Sequence, residues 1–208
     1  MAFLLAMGCE NGNNLLRNGD LIFVGLPADY DADAGSMDSA ISSATGEAGE
    51  VNLTHVAILE VQADSIWVID ATGKRGVNRR PLETFLEDFT LSDGRHPVLL
   101  VKRVKGVDAD AAVERAKSLC GRQYDVRFLP ENEAFYCSEL VQACYLDANG
   151  EPVFQSEPMN WLAPDGTMPT YWEQLFRGLG MEVPQGVPGT NPQKMAQAEF
   201  LIEVLGLQ

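Results

Sequence analysis

The stretch THVAILEVQADSIWVIDAT, residues 54–72, decides the fold class of this chain. Its two apolar segments, THVAILEV and SIWVIDAT, are rich in β-branched residues and predict strands. The polar residues around Gln62, Ala63 and Asp64 lie between them and predict a turn. Consecutive strands joined by a short turn pair antiparallel, so this hairpin is the expected centre of an antiparallel sheet.

Further elements flank the hairpin on both sides. Strands are predicted at NGDLIFVGLP (18–27), GVNRRPL (76–82) and VLLVKRV (98–104). Helices are predicted at 37–44, 82–89, 108–121, 135–150 and 170–180, and the tail from 183 onward predicts an extended arm with a short terminal helix. Because most strands are consecutive, we expect an α+β fold, an antiparallel sheet with helices packed against it.

Composition limits the range of functions. The 208 residues carry a formal net charge of −15, with no run of Lys or Arg. Such a surface repels nucleic acid and anionic lipid, so we expect no nucleic-acid partner. The four cysteines form no CxxC pair and no zinc-type cluster, so we expect no metal and no cofactor.

The amino terminus MAFLLAMGCENGNN (1–14) allows two interpretations. An apolar run that ends at Cys9 resembles the tail of a lipoprotein signal, although a positive n-region is missing. A truncated signal would place the protein in the bacterial cell envelope or outside the cell. The alternative is a terminus without a targeting role, in a cytoplasmic protein.

Cys137 is the cysteine best placed to be a nucleophile. It begins the predicted helix FYCSELVQACYLDANG (135–150), where the helix dipole and free N–H groups favour a thiolate. It follows a polar loop, which predicts an exposed thiol. Cys120 lies in the last turn of its helix, where the dipole disfavours a thiolate, and Cys144 lies on an apolar stripe typical of a core.

The chain has two histidines, and only one of them begins an apolar strand. His96 lies in a loop and predicts a surface residue. His55 is either a hydrogen-bonded core residue or the base that serves Cys137. Asp70 ends the next strand; it is either a strand-end cap or the carboxylate that orients the His55 ring, as in a catalytic triad.

In this arrangement the sequence resembles the permuted papain-like amidases, the YiiX/YaeF-like group of the NlpC-type cysteine peptidase superfamily. The matching segments, in family order, are NGDLIF, SAISSAT, THVAIL, WVIDAT, GRQYDVRF and FYCSELV, with PMNWLAPDGTMPTYWEQLF and GVPGTNP in a C-terminal extension. The resemblance implies a circularly permuted papain-like domain at 18–150, preceded by an N-terminal segment at 1–17 and followed by an extension at 151–208. The extension lacks the regular apolar periodicity of a separate core but carries large apolar side chains that need burial, so we expect it to wrap the same domain rather than to lie away from the site.

The resemblance also implies the roles of individual residues. Cys137 is the nucleophile, His55 the base and Asp70 the orienting group, where family members often have Glu. Tyr124 is a weaker candidate for binding the oxyanion or shaping the site, since a Tyr before a turn usually packs. The histidine precedes the cysteine in the chain, as in the permuted group.

The sequence thus predicts a cysteine hydrolase that cleaves an amide bond through an acyl-enzyme. The family implies cell-wall peptides, such as peptidoglycan fragments, or N-acyl amides as substrates, and the acidic surface favours a cationic or neutral one. Two alternatives stay open: a thioester-forming acyltransferase or lipid hydrolase with the same Cys and His, and a non-catalytic ligand-binding module.

Overall fold

The protein is described by a computed structural model over residues 15–30, 32–46, 51–63, 65–130 and 132–207. Cys9, and with it the predicted lipoprotein signal, lies outside these residues. The main element is a six-stranded sheet in the order β4-β3-β2-β1-β5-β8, in which every neighbouring pair is antiparallel. Its strands are β1 (Asp20–Leu26), β2 (Asn52–Gln62), β3 (Ser65–Thr72), β4 (Gly76–Pro81), β5 (Val98–Val104) and β8 (Leu201–Leu207).

Six helices and one small strand pair complete the described part of the chain. The helices are α1 (Met37–Thr45), α2 (Leu82–Asp88), α3 (Ala109–Ser118), α4 (Cys137–Cys144), α5 (Thr170–Gly178) and α6 (Pro192–Ala196). Strands β6 (Glu157–Pro158) and β7 (Pro188–Gly189) form the separate pair. The predicted α+β architecture with an antiparallel sheet is therefore confirmed. Within the described ranges, no helix is long and apolar enough to cross a membrane.

Strand alternation gives the sheet two buried faces. Leu21, Phe23 and Ile58 belong to the cluster that packs against α3 and α4, whereas Ile22 and Leu59 belong to the cluster under α2. Successive side chains of a strand point to opposite faces, so one hairpin serves both layers. Helices thus pack against both faces of the sheet, and the buried face of α4 contacts strands β2 and β3.

The C-terminal extension builds a third apolar cluster with residues of the preceding domain. Trp161, Trp172 and Phe176 pack with Phe128 and Tyr136, and the Phe128 ring lies 5.1 Å from Trp161 and 5.6 Å from Trp172 between centroids. Edge-to-face contacts of this kind add to the apolar area buried by each ring. The extension is therefore packed directly beside Tyr136, the residue that precedes Cys137.

The prediction of a terminal helix in the tail is wrong in part. The short helix α6 ends at Ala196, and the last described residues form β8, which pairs with β5 at the sheet edge. The open edge of β5 decides the conformation, because pairing satisfies backbone groups that would otherwise stay unpaired.

Candidate active site

Cys137 is the first residue of α4. Tyr136 precedes it in an extended conformation, so Cys137 lies at the N-terminal end of the helix, where the first N–H groups have no partner within the helix. The prediction of an exposed thiol is wrong: Cys137 is 6% exposed and belongs to the main apolar cluster, next to Leu140 and Val141. The nucleophile candidate therefore lies at the base of the site, with the positive end of the helix dipole behind it.

His55 lies between Cys137 and Asp70. Its Nε2 atom is 2.8 Å from Asp70 Oδ2, which leaves Nδ1 as the ring nitrogen available to the thiol. Phe89 stacks against the ring with centroids 4.7 Å apart, and Phe85 lies 6.2 Å away. Asp70 holds the edge of the imidazole, and Phe89 packs against its face. The structure thus brings together all three residues that the sequence singled out.

The electrostatics of the site favour a charged imidazole. Burial lowers the pKa of His55, but the charge of Cys137, the hydrogen bonds with Asp70 and Cys137 and the charge of Asp70 raise it by more, from 6.5 to about 10. An imidazolium beside a thiol at a helix start stabilises the thiolate, the nucleophilic form of cysteine.

A β-bulge directs His55 into the site. Val24 pairs with His55, but the next residue of β1, Gly25, pairs with Leu53, so Thr54 is an extra residue in β2. A side chain at Gly25 would collide with Val51 and Leu53, with its Cβ 2.7 Å from the Val51 side chain. Bulges re-aim side chains and occur beside active sites. This bulge was not predicted, although Gly25 in an apolar strand is a signal for it.

Asp70 is fully buried and held by several donors. Arg80 Nη1 donates to Oδ1 at 2.6 Å, Arg80 Nη2 donates to Oδ2 at 3.0 Å, and Asn78 Nδ2 donates to Oδ1 at 3.3 Å. Arg80 and Asn78 both lie on β4, the strand that pairs with β3. The segment was predicted only as a strand, and no role was predicted for Asn78 or Arg80.

The remaining candidates lie at the edge of the site or away from it. Tyr124 is near the nucleophile: burial, and then the charge of Cys137, raise the pKa of its phenol well above the ordinary value. Its hydroxyl lies 3.7 Å from the Met37 sulfur. Cys120 and His96 are exposed, and Cys144 is buried at the far end of α4.

Glu139 introduces a second titratable group beside the nucleophile. It is half-buried, two residues after Cys137, and its carboxylate accepts a hydrogen bond from the Tyr136 N–H at 3.3 Å. Burial raises the pKa of Glu139 to about 7. The carboxylate caps the start of α4 and thereby supports the turn that carries Cys137.

The C-terminal extension makes hydrogen bonds to both halves of the site. Thr190 N–H donates to the Tyr136 hydroxyl at 3.0 Å, and the hydroxyls of Thr190 and Ser138 lie 3.0 Å apart. Gln193 Oε1 accepts a hydrogen bond from the Leu53 N–H at 2.8 Å, beside the bulge. We call these residues, Thr190 and Gln193, the brace. They connect the residues that flank Cys137 to the strand that carries His55.

Known proteins share this architecture. The chain is 24% identical over 192 residues to the uncharacterized protein YiiX of Escherichia coli K12, covering 90% of this chain and 85% of that protein. A crystal structure of YiiX from Escherichia coli O157:H7, titled as a metalloprotein, superposes with a TM-score of 0.67 at 24% identity and covers 91% of this chain and 96% of that one. This likeness shows the fold.

Within the described ranges, no group of three or more His, Cys, Asp and Glu side chains is arranged to hold an ion. Asp70 already accepts hydrogen bonds on both oxygens from His55, Arg80 and Asn78. The model of the permuted papain-like amidase enzymes, the YaeF/YiiX or C92 family, matches residues 16–205, and the chain belongs to this family.

Proposed function

We propose that the protein is a cysteine amidase in which Cys137, His55 and Asp70 act as nucleophile, base and orienting group. The observation that carries this proposal is the position of His55, whose ring contacts Asp70 through Nε2 and interacts with Cys137 at the start of α4. A thiol, a base and a group that orients the base are the three parts that acyl transfer through cysteine requires.

The first half-reaction forms an acyl-enzyme. The Cys137 thiolate attacks the carbonyl carbon of the amide, and the C=O electron pair moves to oxygen. When the tetrahedral intermediate collapses, the C–N bond breaks, and the His55 imidazolium gives its proton to the leaving nitrogen. The products are a free amine and a thioester on Cys137, with His55 neutral.

The second half-reaction returns the enzyme to its starting state. Neutral His55 takes a proton from water, the hydroxide attacks the thioester carbonyl, and the C–S bond breaks. The carboxylic acid leaves, and the thiolate and imidazolium are restored. The acyltransferase alternative uses the same thioester but differs in this second step. An acyl acceptor other than water attacks the thioester, and the acyl group is transferred to it.

The oxyanion binds at the start of α4. The backbone N–H of Cys137 is in the first helical turn, where N–H groups have no partner within the helix. Such a group stabilises the negative charge of a tetrahedral intermediate. Tyr124 shapes the same side of the site, and its protonated phenol adds no negative charge there.

A cavity of about 280 Å³ is lined by Phe89, whose ring contacts His55, and we assign this cavity to the leaving amine. Thr54 and Phe89 line it on the side of His55, and Asp33, Asp38 and Asp88 are acidic residues on its wall. Among the residues that the structure describes, no Lys or Arg lines this cavity, and Asp88 is already paired with Arg75, so Asp33 and Asp38 provide the free negative charge. The acidic wall favours substrates whose leaving group is cationic or neutral. Cell-wall peptides and N-acyl amides with a free amino group both meet this requirement.

The test is hydrolysis of a panel of N-acyl amides and peptidoglycan fragments, in which leaving amines with positive, neutral and negative charges are compared. We expect turnover of at least one cationic or neutral amide, and a mass increase on Cys137 equal to the acyl group when the reaction is quenched early. Cys137→Ala should lose turnover and the adduct, and Cys120→Ala is the matched control. Unchanged hydrolysis by Cys137→Ala would overturn the proposal.

A further inference from the structure

Arg80 stands directly behind the Cys137–His55–Asp70 arrangement. Its two terminal nitrogens donate to the two oxygens of Asp70, at 2.6 and 3.0 Å, and form a bidentate ion pair. Asp70 Oδ2 is therefore shared between Arg80 and His55. Paired charge-assisted hydrogen bonds of this geometry fix a carboxylate in its plane as well as in its position.

Arg80 is itself buried and held by several neighbours, although its Nε atom makes no hydrogen bond within the described part of the chain. It is 6% exposed, its Nη1 donates to Asn78 Oδ1 at 3.0 Å, and its Nε lies 3.5 Å from an Asp88 oxygen. Its guanidinium lies 5.1 Å from the centre of the Phe85 ring, which also contacts Phe89 beneath His55. Arg80 and His55 therefore pack against the same aromatic pair, Phe85 and Phe89.

The charges along this line alternate from the nucleophile to the surface. A thiolate at Cys137, an imidazolium at His55, the carboxylate of Asp70, the guanidinium of Arg80 and the carboxylate of Asp88 follow one another. During catalysis His55 loses its charge when the amine leaves and regains it when the thioester is cleaved. A buried carboxylate whose only partner was His55 would then be left uncompensated, which is costly.

We propose that Arg80 is a positioning residue of the active site, which keeps Asp70 charged and oriented while His55 passes between its charged and neutral forms. A guanidinium stays protonated throughout, so its pairing with Asp70 does not depend on the state of the ring. Asp70 can then accept the Nε2 proton of His55 in both states, and Nδ1 faces Cys137 in one tautomer. The inference rests on the proposed function only in taking Cys137 and His55 as the reacting pair.

The permanent positive charge of Arg80 predicts the direction in which neighbouring titrations shift when Arg80 is replaced. Removing a buried cation raises the pKa of each neighbouring acid, because the cation had favoured loss of their protons. Cys137 on α4 and Arg80 on β4 act directly on His55 and Asp70, and Cys120 after α3 lies within range of the Asp70 charge. Asp88 on α2 lies beside Arg80, and Tyr124 lies beside Cys137. Replacing Arg80 by an uncharged side chain should therefore move the titrations of His55 and Cys137 to higher pH.

The experiment compares the full-length wild type with Arg80→Met. The rate at which iodoacetamide alkylates Cys137 is followed against pH by mass spectrometry of the Cys137 peptide. The two histidines are followed by NMR of the labelled imidazoles, with exposed His96 as internal reference. We expect both the alkylation midpoint and the His55 titration to rise by about one pH unit in Arg80→Met, with His96 unchanged.

Arg103→Met is the matched control for loss of structure. Arg103 makes the same kind of fork with buried Asp20, at 2.7 and 2.8 Å, on strands β5 and β1. Arg103→Met should lower the free energy of unfolding without moving the His55 titration or the alkylation midpoint of Cys137. If Arg80→Met leaves both midpoints unchanged, or if Arg103→Met moves them equally, the proposal is wrong.

Arg80→Lys keeps the test decisive if Arg80→Met does not fold. Lysine preserves the charge but cannot hold two oxygens in one plane. We expect midpoints near those of the wild type, with alkylation of Cys137 about tenfold slower because the ring is less well held. Wild-type alkylation in Arg80→Lys would contradict the positioning role. Alkylation needs no substrate, so this result is independent of whether the amidase proposal holds.

Discussion

The hydroxyls of Thr190 and Ser138 lie 3.0 Å apart, although 52 positions separate the two residues in the chain. Ser138 follows Cys137 directly and is fully buried, so its hydroxyl has no access to water. The contact ties the C-terminal extension to the first turn of α4. The brace is thus part of the scaffold that places the nucleophile relative to His55, and it can be tested by single substitutions.

Thr190→Val should destabilise the protein and slow the reaction of Cys137. Valine has nearly the shape of threonine but leaves the buried Ser138 hydroxyl without its partner, at a cost of about 1–3 kcal/mol. Urea unfolding measures the loss, and alkylation of Cys137 by iodoacetamide measures the effect on the site. In Thr190→Val/Ser138→Ala both partners are absent, and the free energy of unfolding should recover in part. Strict additivity of the two single changes would show that this contact carries no coupling.

Truncation after Gly150 tests the whole extension. It removes β8, which covers the edge of β5, and the aromatic side chains that enclose Phe128. We expect loss of the cooperative melting transition, followed by circular dichroism, because the exposed edge and apolar surface have no replacement. A shorter deletion, after Phe200, removes β8 alone and should lower the melting temperature while α5 and the brace remain. A truncated chain that melts and reacts like the full-length protein would show that the extension is dispensable.

Much of the sheet was predictable because its signals are local. The hairpin β2–β3 follows from two apolar segments and a turn, and α3 follows from its Asp108 cap and apolar stripe. The candidate site residues also carry local signals: His55 is a polar residue in an apolar strand, and Cys137 opens a helix. Each of these features is visible within about ten neighbouring residues.

The missed features depend on contacts between distant parts of the chain. β8 forms because β5 offers an edge, and the brace acts on residues that precede it by 52 to 140 positions. Arg80 alternates with Arg79 on β4, and only the register with β3 shows that Arg80 rather than Arg79 reaches Asp70. Arg79 instead pairs with Glu60 and covers the Trp67 ring. Two adjacent arginines in a sequence give no means of choosing between them.

Asp70→Asn should lower kcat far more than it changes KM. An asparagine can present an N–H to His55 and thereby stabilise the wrong tautomer, as loss of the third triad member does in serine proteases, where kcat falls about 10⁴-fold. Because the acyl-enzyme chemistry depends on Nδ1 facing Cys137, we expect a loss of at least about 10³-fold for the best amide of the panel. Asn78→Ala removes the 3.3 Å hydrogen bond to Asp70 and the 3.0 Å hydrogen bond that Asn78 accepts from Arg80, but it leaves the contacts of His55 and Arg80 with Asp70, so it should cost less than about tenfold. Equal effects of the two changes would contradict the orienting role of Asp70.

The raised pKa of His55 predicts how the free energy of unfolding changes with pH. The folded-state pKa, about 10, lies above the unfolded value of 6.5, because the charge of Cys137 and the contacts with Asp70 outweigh desolvation. Protonation of His55 therefore stabilises the folded state fully below pH 6.5, and this contribution is lost as the pH rises from 6.5 to about 10. The free energy of unfolding of the wild type should fall across this window. His55→Gln should reduce the fall, whereas His96→Gln should not, since His96 is exposed in a loop. If wild type and His55→Gln lose stability in parallel between these pH values, the imidazolium is not held by Cys137 and Asp70 in the folded protein.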